Sequence, residues 1–104
     1  MSALAQLQTE SRRSLVLRAL DEDDRRRLSE VSIKRVIDHM DGTIYPDQLR
    51  PILAWLEEQQ LIELERNHVP GGGELWVATL TEAGQQVAHG RPYPGVERAP
   101  PKRG

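Results

Sequence analysis

Residues 68–84, HVPGGGELWVATLTEAG, place a glycine-rich turn, an extended segment and a helix start in direct succession. The three consecutive glycines Gly71–Gly73 are typical of a loop. Across Glu74–Leu80, two sets of apolar side chains alternate with a period of two, which predicts a β-strand. Thr81 is a favourable N-cap, so a short helix is expected to run from there to about Ala88.

The chain before this stretch predicts a partner strand and a helix. Leu61–Glu65 resembles a short strand, so the two extended segments form a hairpin with its tip at Pro70–Gly73. Ahead of it, Pro46 fits the first turn of a helix. Pro51 would lie inside that helix, so the helix is either kinked or regular only from near Arg50. The apolar stripe predicted to be buried comprises Leu49, Ile52, Leu53 and Leu56.

Two further helices precede that one. Ala3–Leu20 lacks glycine and proline and predicts an N-terminal helix. Residues 21–27, four carboxylates followed by three arginines, are interpreted as a charged, solvated turn, with a phosphate-binding patch as the alternative. Ser29 or Ser32 caps the second helix, and Gly42 ends it. Its predicted buried face, at spacings of three and four residues, comprises Ile33, Val36, Ile37 and Met40.

The order of three helices, a hairpin and a final helix predicts an α+β, mainly helical winged helix-turn-helix with a two-stranded wing. A short connection joins the second and third helices, as this motif requires. The domain is predicted to span residues 1–90, with the winged part at 28–89. The rival interpretation is a small α+β domain whose hairpin only covers a core. Residues 91–104 contain four prolines and predict an extended or disordered tail.

Composition excludes several classes of protein. The 104 residues include no cysteine, which excludes a disulfide framework, a thiolate zinc site and a cysteine nucleophile. No apolar run approaches the length of a membrane span, and no signal peptide is evident, so a cytoplasmic protein is expected. The net charge is −2. Residues 91–104 carry +3, from four basic residues against Glu97, so residues 1–90 carry −5.

Catalysis is not indicated. His39, His68 and His89 are dispersed, and their spacing does not suggest a metal site. The glycine tip lacks the lysine and serine or threonine of a phosphate-binding loop, so no cofactor is predicted. Trp55 and Trp76 are interpreted as core residues. The sequence therefore predicts a protein that is not an enzyme.

Two segments resemble parts of known regulators. Leu53–Glu65, LAWLEEQQLIELE, and Leu75–Arg91, LWVATLTEAGQQVAHGR, are similar to the third helix, wing and last helix of MarR-, PadR- and ArsR-like proteins. Ala54–Gln59, Thr79–Gly84 and Gly95–Pro100 resemble a small, uncharacterised family from Mu-like phages and prophages. The resemblance spans roughly residues 28–100. It implies a winged-helix fold and a phage setting, and it implies no established activity.

The fold predicts a surface for double-stranded DNA, because the third helix of such proteins enters the major groove. Gln48 and Arg50 are the candidates for base contacts. The candidates for backbone contacts lie in the wing: Arg66, Asn67, His68, Gly71, Gly72 and Gly73. Asp47, Glu57 and Glu58 oppose such contacts, since phosphate repels carboxylates. Two hypotheses follow: a transcriptional regulator that binds DNA, or a non-catalytic module that contacts a phage or host protein.

Self-association is also predicted. Leu4, Leu7, Val16 and Leu17 exceed what one short core is expected to cover. We therefore expect a homodimer built on the N-terminal helix.

Overall fold

The computed structural model describes residues 2–101. Within that range the chain forms four helices and one antiparallel sheet in the strand order β1-β3-β2. The elements are α1 (Ala3–Glu22), β1 (Arg27–Ser29), α2 (Glu30–Asp41), α3 (Pro46–Glu58), β2 (Ile62–His68), β3 (Glu74–Leu80) and α4 (Glu82–Ala88). The predicted α+β winged helix-turn-helix is confirmed.

The core lies where the four helices meet the inner face of the sheet. The predicted stripe of α3 is buried in full, and so are Ile33 and Ile37 of α2. Met40 was predicted on the same buried face, but its side chain is 62% exposed. The last turn of α2 lies at the surface, where Met40 lines an open groove with Leu15 and Arg18 of α1.

A third strand was missed. Arg27–Ser29 pairs with Val77–Thr79 at the free edge of β3, so the hairpin belongs to a three-stranded sheet. Three residues are too few to show a recognisable alternation. The preceding turn is tight because the Asp23 carboxylate accepts hydrogen bonds from two backbone N–H groups, those of Arg25 and Arg27.

The structure resolves the start of helix α3 and the backbone conformation of the hairpin tip. Regular helix α3 begins at Pro46 and continues past Pro51, so the later start near Arg50 is wrong. At the hairpin tip, Gly71–Gly73 all have φ near +90°, between +86° and +106°. Side chains disfavour that region, which gives the glycines a conformational reason independent of any partner.

Residues 91–101 form no helix or strand but pack against the domain, whereas the sequence predicted an extended or disordered tail outside the core. Val96 and Ala99 are buried, and Tyr93 donates a hydrogen bond to the Gln59 side chain at 2.8 Å. Arg13 of α1 donates to the Gly95 carbonyl at 2.8 Å, and its guanidinium lies 3.8 Å from the Trp55 ring centroid. These contacts join distant parts of the chain, so proline content alone could not reveal them. Residues 102–104 lie outside the described range.

The segment Leu80–Gly84 connects β3 to α4 and packs this last helix against the start of β2. Thr81 caps α4 by accepting the Gly84 N–H, and its hydroxyl donates to the Gln60 carbonyl. A Cβ at Gly84 would lie 2.0 Å from the carbonyl oxygen of Leu61. Only glycine therefore lets α4 approach the start of β2.

Replacing Gly84 with alanine should destabilise the protein by about 1–3 kcal/mol or more, because backbone must move to relieve the contact. Chemical denaturation monitored by circular dichroism measures the change. Ala83→Ser, at an exposed position of the same helix, is the matched control and should stay within about 0.5 kcal/mol of the wild type. Equal stability of Gly84→Ala and the control would contradict the proposed close approach.

Candidate interaction surface of helix α3 and the hairpin

A carboxylate at the start of α2 joins three elements. The two oxygens of Glu30 accept hydrogen bonds from Nε and Nη2 of Arg50, both at 2.9 Å, and one oxygen also accepts the Trp76 N–H at 2.7 Å. Glu30 is 9% exposed. The hydrogen bonds from Arg50 hold the pKa of Glu30 below its usual value, against the opposing effect of burial. We call this arrangement the Glu30 clamp.

Arg50, predicted to contact bases, is committed to the clamp. Beyond its two bonds to Glu30, its Nη2 donates to the Glu74 carbonyl at 2.9 Å. Its guanidinium lies 4.6 Å from the Trp76 ring centroid, a cation–π distance. Contact with a base edge would require these interactions to break.

The other predicted side chains of α3 and β2 are similarly engaged. Arg66 donates to both carboxylate oxygens of Glu57, at 3.3 and 3.0 Å, and lies 4.5 Å from the Trp76 ring centroid. The ion pair with Glu57 raises the pKa of Arg66. The Gln48 side chain accepts the Tyr45 N–H at 3.0 Å and so closes the first turn of α3.

The remaining predicted residues lie toward the end of the hairpin. Asn67, His68 and the glycine tip are exposed. They are thus available to a partner, and their contact with DNA remains a prediction. His39 and His89 lie on other elements, and no cluster of three potential metal ligands occurs among residues 2–101.

The exposed stripe of α3 carries no donor side chain. Its positions, spaced at four, three and four residues, are Asp47, Pro51, the half-buried Ala54 and Glu58. Taken together, residues 46–80 hold two arginines, both paired, against six carboxylates, a formal charge of −4. Within residues 2–101, the carboxylates of Asp47 and Glu58 have no hydrogen-bond or ion-pair partner.

Two helices joined by a short turn and followed by a hairpin and a helix define the class of winged helix-turn-helix proteins. Two solved structures are similar to this fold. The PadR-like transcription factor from Bacteroides fragilis superimposes with a TM-score of 0.66 at 16% identity, covering 80% of this chain and 78% of its own. The putative transcriptional regulator TA0346 from Thermoplasma acidophilum gives 0.54 at 21% identity, covering 69% and 70%. At these identities the likeness establishes the fold alone.

Sequence similarity defines the family. The chain is 36% identical over 95 residues to the uncharacterized protein gp26 of Escherichia phage Mu, and the match covers 90% of this chain and 93% of gp26. The protein therefore belongs to the family of this Mu protein, as the predicted resemblance implied. No protein-family model matches the chain. Among the described residues, no helix is long and apolar enough to cross a membrane.

The sequence does not predict the roles of Glu30 and Trp76 in this surface. Glu30 reads only as an acidic residue in a first helical turn, and Trp76 was assigned to the core. In the structure Trp76 is half-buried and packs against the core while two guanidinium groups lie over its ring. The sequence signal was present as two arginines and a nearby excess of glutamate, but their pairing depends on the tertiary fold.

We expect Glu30→Gln to cost about 1–3 kcal/mol near neutral pH, since the charged bonds to Arg50 are weakened. The stabilisation by Glu30 is complete above the ordinary glutamate pKa of about 4.3 and is lost as pH falls through the lowered pKa of the folded state. Urea denaturation of both proteins between pH 7 and pH 3 measures this.

The difference in unfolding free energy between wild type and Glu30→Gln should therefore shrink below about pH 4.3. Glu58→Gln, at an exposed and unpaired position, is the control and should leave stability unchanged within about 0.5 kcal/mol. If the difference in unfolding free energy between wild type and Glu30→Gln stayed constant over the whole pH range, the Glu30 clamp could not be the cause of that difference.

Proposed function

We propose that the protein is a non-catalytic winged-helix interaction module whose α3 and hairpin bind a basic surface of a phage or host protein. The observation that supports this is the balance of available charge. On α3 and the hairpin, both arginines are neutralised by glutamates, whereas Asp47 and Glu58 have no partner among residues 2–101. A surface of this kind attracts cationic side chains and repels phosphate.

The electrostatic cost of the DNA alternative can be stated for each residue. Phosphate contacts supply most of the affinity of a DNA-binding protein. Releasing Arg50 would leave Glu30 buried without its cation, a strongly unfavourable state. Releasing Arg66 would leave Glu57 facing the same polyanion. The proposed protein partner needs neither change.

A DNA-binding transcriptional regulator is the second candidate. The fold favours it, because both structural neighbours are described as transcription factors or regulators. Exposed cations outside the α3 surface also favour it: within residues 2–101 the side chains of Arg25 and Arg35 have no carboxylate partner. In this second candidate Arg50 exchanges its glutamate for a base edge, and Arg66 exchanges its glutamate for phosphate. Both candidates act in the host cytoplasm.

Photo-crosslinking separates the two candidates. A photoreactive amino acid at Pro51, in the centre of the exposed stripe, should give a discrete protein adduct in bacteria that carry the corresponding phage. The same amino acid at Ala83, exposed on α4, is the matched control and should give none. The adduct should survive nuclease treatment, and mass spectrometry should identify a partner with a basic contact surface.

A nuclease-sensitive adduct at Pro51 would instead support the DNA-binding regulator. In that case a gel-shift selection from the phage genome at about 50 and 200 mM salt should recover a specific fragment, with affinity falling steeply between the two salt concentrations. Recovery of such a fragment together with weakened binding in His68→Ala, at an exposed hairpin position, would overturn the proposed protein-binding function.

We also propose that the module is a homodimer. Val16 and Leu17 are buried in the chain's own core, so they do not support this. Leu4 and Leu7, however, are 77% and 61% exposed. Along α1 their stripe continues through Ser11 to Leu15, which is only 9% exposed but lines an open groove beside Met40. Two antiparallel copies crossing at Ser11 would place Leu7 of each against this groove of the other.

Cysteine crosslinking tests this pairing in a chain that otherwise has no cysteine. Ser11→Cys should form a disulfide-linked dimer under mild oxidation, because the two-fold axis brings the two Cβ atoms within bonding range. Thr43→Cys, exposed on the α2–α3 turn, is the control and should remain monomeric. A monomer mass for the wild type in sedimentation at tens of micromolar would contradict the dimer.

A further inference from the structure

A small apolar groove lies beside the exposed stripe of α3. It has a volume of about 240 Å³ and lies between the first turns of α2 and α3 and the strand β3. Its apolar wall is formed by Val31, Pro46, Leu49 and Leu75. We call it the Val31 groove. It exists because the Glu30 clamp holds these three elements together at this point.

We propose that the Val31 groove receives one bulky apolar side chain of a protein segment, and that this side chain is flanked by lysine or arginine. The inference rests on the proposed function, because the groove shares α3 and the hairpin with it. It goes further by naming the feature of the partner that anchors the complex.

Size and exposure support an apolar anchor. The groove is smaller than the roughly 300–1,000 Å³ of pockets for drug-sized ligands, and its volume suits a single large side chain. Val31 is 56% exposed although it is an aliphatic residue beside a buried core. Exposed apolar surface rimmed by charges is typical of a protein-binding site, where one buried anchor supplies much of the affinity.

Charge at the groove specifies what flanks the anchor. The two cations on its wall are paired, Lys34 with Asp38 at 2.6 Å and Arg50 with Glu30. The Glu74 carboxylate accepts one hydrogen bond, from Trp76 Nε1 at 3.3 Å, and is exposed. Asp47 follows Pro46 and has no partner in the described part of the chain. The charges available to a partner at the groove are therefore negative.

A random-peptide selection on the full chain tests the proposal, with the selected synthetic peptides as probes. Enriched peptides should share one Leu, Ile, Met or Phe next to Lys or Arg. Their affinity should fall at least tenfold in Val31→Asp, because the apolar contact is lost. In the same variant electrostatic attraction to a basic peptide increases, so a loss cannot come from charge.

The test variant is expected to fold, since Val31 is exposed in the first turn of α2, where an acidic residue suits the helix dipole. Val69→Asp, an exposed valine near the hairpin tip, is the matched control and should leave the affinity unchanged within twofold. Asp47→Asn should weaken binding several-fold and make it less sensitive to salt.

The outcomes separate this inference from the proposed function. Basic peptides without a shared apolar residue, or binding unaffected by Val31→Asp, would overturn the Val31 groove and leave the basic partner in place. Anchored peptides that lack lysine and arginine, and bind equally well to Asp47→Asn, would overturn the basic partner. A selection that enriches no peptide would overturn both.

Discussion

The Glu30 clamp is the interaction on which the geometry of this surface depends. A single carboxylate, held at the start of α2, receives a guanidinium from α3 and a backbone amide from β3. Because Glu30 is almost fully buried, its charge must be paired, and the pairing fixes the hairpin against the helix-turn-helix. The position of Arg50 and the shape of the Val31 groove follow from it.

The clamp also explains why the fold does not determine the function here. A winged helix-turn-helix supplies a helix and a hairpin side by side, and any partner can use that shape. What the partner contacts is decided by side chains. In this chain the arginines at the expected DNA-contacting positions are structural, and each lies within cation–π distance of Trp76 while bound to a glutamate. The charge left for a partner is negative.

The fold was largely predictable because its signals are local. The apolar spacing of α3, the glycine tip and the Thr81 cap are each encoded within a few residues, and all are present in the structure. The missed features depend on distant partners. Strand β1 is recognised only by its pairing with β3, and residues 91–101 are ordered by contacts with α1 and α3. Gln48 and Arg50 lie on the predicted third helix, whereas Arg66, Asn67 and His68, which follow the predicted strand, belong to β2 itself. Whether an arginine is free or bound depends on its neighbours in three dimensions.

The two proposed interfaces can operate at the same time. Met40, beside the predicted dimer contact of α1, and Val31, on the wall of the groove, lie at opposite ends of α2. Nine residues of helix separate them by roughly 13 Å. The face of α3 that carries Trp55 is occupied by Arg13, Tyr93 and Gly95, which leaves the acidic stripe and the groove for a partner. A dimer would therefore present two identical acidic surfaces, and a partner with repeated basic segments would bind with an avidity greater than that of either contact alone.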